Sequence, residues 1–236
     1  MEATNDNRMN FEVNYREESK SDLTVITEVF SDQSLSLNSL KKAPLIDAYF
    51  KDITRRNSVP LIIDAGANIG ASTIWFLNAY SSCKVISIEP EQGNIEVLRL
   101  NVQNLNVTVI EGAVSDESGL LFLHDPGSGD WGFRVSREYS NRPINSFSIN
   151  ELLGEPLKSV EVPFICKIDI EGGEEALFNS NTEWVEKFPI LIIEIHDWML
   201  PGRSVSKNFF KKISEGNFDI VMRGQLIFAI NNDLIN

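Results

Sequence analysis

Apolar positions from residue 59 onward alternate between two spacings. Short, nearly continuous apolar runs occur at 59–65, 84–89, 107–111, 163–169 and 190–195. Between them, apolar residues recur at helical spacing. Runs of this length, bounded by turn residues, predict strands buried on both faces. The intervening pattern predicts helices at 71–80, 91–104, within 174–180 and at 204–215, the last with Gly216 in the stopping position. Residues 120–124 read as a short extra strand after a turn at Ser118 and Gly119. Asn150 reads as the cap of a short helix at 151–153, and 184–188 as one more helical turn. Near the end, 218–222 and 225–230 are two β-rich runs joined by Arg223-Gly224, which predicts a hairpin.

The start of the chain is less regular. Residues 1–43 read as an N-terminal extension or flap, frayed over the first twenty or so. Short apolar alternation at Leu23 and Val25, then Val29 and Phe30, suggests one or two strands within 23–40. Residues 44–56 have helical spacing, with Pro44 at the first position. The second unit is then a single α/β domain, 44–236. Its sheet is expected to be seven-stranded and mostly parallel, with the hairpin antiparallel at its end. Residues 125–142 read as a long loop, the kind that forms a lid, with Trp131 placed to close over a ligand.

Composition adds bounds. The 236 residues suffice for one α/β domain with a core. The net charge of −13 disfavours nucleic acid and anionic membrane surfaces as partners. No apolar run reaches the roughly 18 residues of a membrane span, and no leader pattern is visible at the N-terminus. Cys83 and Cys166 fall at buried strands and read as free core thiols of a cytoplasmic protein. A homodimer is compatible with all of this.

The most informative stretch is VPLIIDAGANIGASTIWFLNAYSSCKVISIE, residues 59–89. Strand, glycine turn, helix, strand and terminal acid make the layout of a nucleotide-binding βαβ unit. A dinucleotide site uses G-x-G-x-x-G, whose second glycine makes room for pyrophosphate. Here the spacing is D-x-G-x-N-x-G: Asn68 replaces that glycine, and Asp64 adds charge that would repel a phosphate. Glu89, nineteen residues past Gly70, can accept both hydroxyls of a ribose. A ligand with a ribose, an amino-acid end and no phosphate fits, and S-adenosylmethionine is such a ligand. A parallel sheet ending in an antiparallel hairpin is also the architecture of class I methyltransferases, a Rossmann-like fold.

Four segments, IIDAGANIGASTIWF, IEPEQGNIEVLRLN, KIDIEGGEEALF and IIEIH, occur in this order. Together they resemble the FkbM family of S-adenosylmethionine-dependent methyltransferases, over about 59–195. The family often has T-L-D before the KID strand, where this chain has Asn145-Ser146-Phe147. The resemblance implies methyl transfer to a hydroxyl of a small molecule, sugar or natural product. It also implies site roles. Gly66, Asn68 and Gly70 would pack against the methionine and ribose. Asp64 would meet the amino end, directly or through water, Glu89 the ribose diol, and Asn94 would hold the loop of Glu89. Gly112, Ala113 and Val114 would flank adenine, and Ser72, Pro90 and Asp169 complete the cofactor set.

A hydroxyl acceptor must lose a proton to a base or with help from a metal. In this kind of sheet the acceptor lies beyond the carboxyl ends of the strands. The candidates there are Asp169, Glu171 and Glu174 after the fourth strand, and Glu194 and His196 after the fifth. His196 is the candidate base, because imidazole titrates near neutrality, or else a substrate ligand. Asp169 is a costly acid at the end of a buried strand, and Lys167 is its candidate partner. Asp169, Glu194 and His196 could also hold Mg²⁺. Rival readings are N-methylation, a non-catalytic holder of S-adenosylmethionine or a nucleotide, and a nicotinamide-dependent reductase.

Overall fold

The computed structural model describes residues 12–125, 127, 132–154 and 160–236. Trp131 lies outside the described residues. The strands of the main sheet are β1 (Val59–Ala65), β2 (Lys84–Glu89), β3 (Val107–Glu111), β8 (Glu161–Ile168), β9 (Ile190–Glu194), β10 (Phe218–Arg223) and β11 (Leu226–Asn231). Their order is β3-β2-β1-β8-β9-β11-β10. The first five run parallel, and β11 is antiparallel to both β9 and β10. This is the expected class I methyltransferase sheet, Rossmann-like and closed by a hairpin. The hairpin turn is one residue later than the sequence suggests: Arg223 still pairs with Leu226, and Gly224 turns at φ +57°.

Successive side chains of a strand point to opposite faces, and the core divides accordingly. Leu61, Ile63, Ile86, Ile88, Cys166, Ile168, Leu191 and Ile193 form one apolar layer. It packs on Trp184, Phe188, Phe209 and Ile213. Ile62, Val85, Ile165, Ile190, Ile192 and Phe228 form the other, against Ile46, Ile53, Trp75 and Phe76. The helices covering these faces are α2 (Ala43–Arg55), α3 (Ala71–Ala79), α4 (Gln92–Asn101), α5 (Ile149–Gly154), α6 (Glu174–Leu177) and α7 (Lys207–Glu215). Both cysteines are buried and free. Among the described residues no helix is long and apolar enough to cross a membrane.

Two expectations need correction. Residues 23–40 hold no strand: α1 (Lys20–Ile26) runs into a π-helical turn, Thr27–Ser31. Ser19 caps α1 by accepting from the Asp22 backbone N at 3.2 Å. Val29, Leu35, Leu37 and Leu40 are buried in the second apolar layer. The S-x-x-D capping pattern at Ser19–Asp22 and tertiary burial outweigh the local alternation. Residues 125–142 are also not all loop. β6 (Arg134–Ser136) pairs with β5 (Gly119–His124), which pairs with β7 (Pro143–Ser148), and β4 (Ala113–Ser115) completes a four-stranded second sheet. The Asn145-Ser146-Phe147 stretch is therefore a strand of that sheet.

Register builds the site. Ala65 pairs with Ile88 on one side and Ile168 on the other, and Ile168 pairs with Ile193. The residues next in each chain direction, Glu89, Gly66, Asp169 and Glu194, therefore stand in a row along the carboxyl edge of four adjacent strands. The row spans the point at which strand order reverses about β1, where open α/β sheets bind ligands.

Candidate active site

The turn after β1 winds through positive φ at Gly66 (+75°), Asn68 (+50°) and Gly70 (+89°). At Gly66 a Cβ would stand 1.8 Å from the Asp169 carbonyl oxygen, so only glycine lets the β1 and β8 loops meet. Asparagine tolerates the left-handed region better than most residues. Asn68 uses its Oδ1 to accept from Ile69 N at 2.7 Å. Its backbone N–H donates to Glu89 Oε2 at 2.9 Å. Gly70 does not line the cavity. A Cβ there would come within 2.6 Å of Leu98 Cδ1, so Gly70 serves the packing of α3 on α4.

Asp64 also stands behind the wall. It is 0% exposed, and its Oδ2 accepts from the hydroxyls of Ser72 and Thr73, both at 2.6 Å. Lys167 Nζ lies 3.4 Å from Asp64 Oδ1 and 3.4 Å from Asp169 Oδ2, and donates to the Gly66 carbonyl at 2.7 Å. Burial opposes the charge on Lys167, but Asp169 and Asp64 outweigh it and keep the amine protonated. Direct contact of Asp64 with a ligand's amino end does not match this placement. Asp64 instead anchors Ser72 and Lys167, which do face the cavity.

Glu89 is buried and collects donors. Oε1 accepts from Glu91 N at 3.0 Å and from Asn94 Nδ2 at 3.1 Å, while Oε2 accepts from Asn68 N. Burial pushes the carboxyl up to about 6, partly offset by these hydrogen bonds and by the charge of Lys167. Gly112 N donates to the Glu89 carbonyl at 3.0 Å. That bond carries the chain from β3 into Gly112 and Ala113 at the start of the second sheet.

Beyond the β8 and β9 ends lies a cluster of four carboxylates around one imidazole. His196 is 1% exposed, and its Nδ1 donates to Glu174 Oε1 at 2.9 Å. Nε2 faces Asp169 Oδ1 at 3.7 Å, Glu171 Oε2 at 3.7 Å and Glu194 Oε1 at 3.6 Å. Glu171 is a non-glycine residue at φ +55°, the kind of backbone strain that gathers at functional sites. Asp169, Glu171 and His196 each bring a potential ligand atom within 4.8 Å of the others. Gly66 and Asn68 of the turn, Glu89, Pro90, Asn94, Gly112 and Ala113 line one cavity of about 770 Å³ together with Asp169, Glu171, Glu194 and His196, while Glu174 is buried behind the imidazole.

A family model described as the methyltransferase FkbM domain matches residues 64–218, more than half of the chain. The chain belongs to the FkbM methyltransferase family. No curated protein matches its sequence. Among solved structures it is similar to a putative O-methyltransferase from Klebsiella pneumoniae, at 14% identity and TM-score 0.45 over 85% of this chain and 96% of that one. It is similar to a putative caffeoyl-CoA O-methyltransferase from Staphylococcus aureus, at 12% identity and TM-score 0.43 over 88% and 91%. A third is precorrin-6y C5,15-methyltransferase from Geobacter metallireducens, at 10% identity and TM-score 0.41 over 78% and 84%.

In this FkbM-family site, charge decides which group can take a proton. Burial opposes an imidazolium at His196. The hydrogen bond to Glu174 and the charges of Glu174, Asp169 and Glu171 outweigh burial and push His196 up to about 9. At neutral pH it already carries its proton, so the expectation of a neutral imidazole base does not fit these surroundings. Glu171 is raised as well, but towards neutrality: burial, then the charge of Asp169, lift it to about 7. Burial and Asp169 likewise raise Glu194 to about 7. A carboxylate that titrates near neutrality suits general-base work.

Two features of the cavity went unread in the sequence. Val25, Glu28 and Asp32, from α1 and its π-helical turn, form part of the wall. Burial, with the charges of Asp169 and Asp32, raises the Glu28 carboxyl. Arg137 faces the cavity and pairs with Asp116 at 3.1 Å. Asp116 is buried and also accepts from Asn179 Nδ2 at 3.1 Å and Ser180 Oγ at 3.2 Å. The α1 contribution had a legible signal in the S-x-x-D cap. The Asp116 network had none, since Arg137, Asn179 and Ser180 lie 21 to 64 residues away from it.

Proposed function

We propose that this protein transfers a methyl group from S-adenosylmethionine to a hydroxyl of a small-molecule acceptor. The observation that carries the reading is a single cavity joining two devices. One is a glycine turn facing a buried, multiply hydrogen-bonded Glu89. The other is Glu171, a carboxylate raised to about 7.

The residues fit the cofactor. Gly66, Ala67 and Asn68 bring backbone close to the cavity, Glu89 can take the ribose diol, and Gly112 and Ala113 can flank the adenine. S-adenosylmethionine, when bound, supplies a methyl group on a cationic sulfonium. Glu171 takes the acceptor's hydroxyl proton on its carboxylate. His196, protonated at Nε2 and tied to Glu174 through Nδ1, stabilises the carboxylates around it and keeps Glu171 and Glu194 aimed at the cavity. Trp198 and Met199 line the same space and help to exclude water. Asp169, Glu171 and His196 stand close enough to share a cation, and the carboxylates among them are of the kind Mg²⁺ takes. We derive no step through a metal.

Acceptors offered in matched sets test the reading: a polyhydroxylated compound, its deoxy analogue and its amino analogue, with release of S-adenosylhomocysteine as the readout. Release is expected to follow the hydroxyl and to vanish with the deoxy compound. Release with the amino analogue alone would move the reading to N-methylation.

A further inference from the structure

β10 (Phe218–Arg223) is the last strand of the main sheet and pairs with β11 alone. The hairpin turn fixes which way its backbone points. A two-residue turn is closed by a hydrogen-bonded pair, here Arg223 and Leu226. Such pairs alternate with non-hydrogen-bonded ones along an antiparallel ladder. Asp219, Val221 and Arg223 therefore spend their backbone groups on β11. Asn232 N, which donates to the Asn217 carbonyl at 2.8 Å, continues the same alternation. The backbone N–H and C=O groups of Ile220 and Met222 point away from β11, out of the sheet.

An open edge is usually blunted by proline, lysine, a bulge or a covering segment. β10 reads FDIVMR, with neither proline nor lysine, and it pairs with β11 without a register shift. Its middle is apolar and open on both faces: Ile220 is 42% exposed, Val221 37% and Met222 71%. Charge flanks this apolar middle. Asp219 and Arg223 stand two residues to either side of Val221. Lys42 Nζ lies 3.1 Å from Asp219 Oδ2, and the Asp219 side chain is still 52% exposed. Arg223 donates to the carbonyls of Ser34 at 3.3 Å and Ser36 at 2.6 Å and to the Ser39 hydroxyl. Those acceptors are neutral, so they hold the guanidinium in place without cancelling its charge.

Read backwards, the strand complements itself. With a two-fold axis at Val221, Asp219 faces Arg223 of a second copy, Ile220 faces Met222, and Val221 faces Val221. The outward backbone groups of Ile220 and Met222 then bond reciprocally. An axis at Ile220 would set Asp219 against an apolar Val221, and one at Asp219 would bring like charges together. We propose that β10 is a homodimer interface: two copies of this chain join their edge strands antiparallel about a two-fold axis at Val221. The interface runs up to the cavity, which Arg223 and Gly224 help to line.

Sedimentation of the full chain tests the pairing, and cysteine cross-linking tests the register. At physiological salt and up to roughly 100 µM, enough to populate a weak interface, the protein should reach twice its chain mass. Facing residues of a non-hydrogen-bonded pair have Cα atoms about 4.5 Å apart, within reach of a disulfide. Val221→Cys should therefore give a covalent dimer on mild oxidation. Ile220→Cys and Met222→Cys should each stay largely uncross-linked alone and form a covalent dimer when mixed. Cys83 and Cys166 are buried and do not compete. Val221→Lys sets two ammonium groups face to face and should sediment as a folded monomer. A wild type that stays monomeric throughout, or a dimer untouched by Val221→Lys, would overturn the proposal. So would cross-linking of Ile220→Cys alone without cross-linking of Val221→Cys. Should Val221→Lys fail to fold, the cross-linking of Val221→Cys decides the matter.

Discussion

Replacing Glu89 with alanine is expected to weaken S-adenosylhomocysteine binding by roughly 10² to 10⁴-fold. The estimate takes two hydrogen bonds to a charged group at about 1.5–3 kcal/mol each. It is large because Glu89 is buried and pre-aimed by Asn68 N, Glu91 N and Asn94 Nδ2, so little rearrangement precedes binding. The pH dependence carries a sign that checks the same claim. Burial raises the Glu89 carboxyl from 4.5 to about 6. The fold therefore favours the protonated acid, and this group's contribution to stability falls as pH rises from about 4.5 to 6. Binding runs the other way, because only the carboxylate can accept from both ribose hydroxyls. Affinity in the wild type should drop as pH falls through about 6, and Glu89→Ala should lack that limb. A calorimetric series from acid to neutral pH separates the two trends. Full affinity in Glu89→Ala would remove the ribose role.

The second large effect belongs to Glu171. Glu171→Gln keeps the size of the side chain but cannot take a proton. Loss of a general base costs roughly 10² to 10⁴ in turnover. The dissociation constant for S-adenosylhomocysteine should stay unchanged, because Glu171 is on the β8–β9 side of the row and Glu89 on the β2 side. Turnover in the wild type should rise with pH through about 7, as the raised carboxyl loses its proton. Glu194 sits in the same field, so the midpoint belongs to the pair rather than to one residue. Retention of both the rate and the pH limb in Glu171→Gln would assign the proton to another group.

What could be read from the sequence was what local pattern dictates. Parallel strands buried on both faces show as continuous apolar runs. The residues that end those runs, Asp64-Ala65-Gly66, Glu89, Asp169 and Glu194, mark the carboxyl edge, so the row of site groups was legible before any coordinates. Depth was not. Asp64 and Gly70 belong to the same motif as Gly66 and Asn68, yet one lies behind the cavity wall holding Ser72, Thr73 and Lys167. The other serves helix packing. Nor was protonation legible. His196 reads as a neutral base when only its own pKa is considered, and only the fold shows four carboxylates around it. The first helix was hidden for a different reason. Alternation at Leu23 and Val25 looks like a strand, whereas the cap at Ser19 and the burial of Val29 and Leu35 against the sheet settle it as helix. Arg16 reaches Asn94 across 78 residues, a contact that no local pattern announces.

The central claim is that the cavity at the strand ends is built for S-adenosylmethionine rather than for a dinucleotide. Calorimetry of the purified protein with S-adenosylmethionine, S-adenosylhomocysteine and NADH tests it most directly. Binding of both adenosyl compounds at roughly micromolar concentration, with none of NADH, is the predicted result. Binding of NADH with neither adenosyl compound bound would contradict it, and would mean that the turn at Asn68 admits a pyrophosphate.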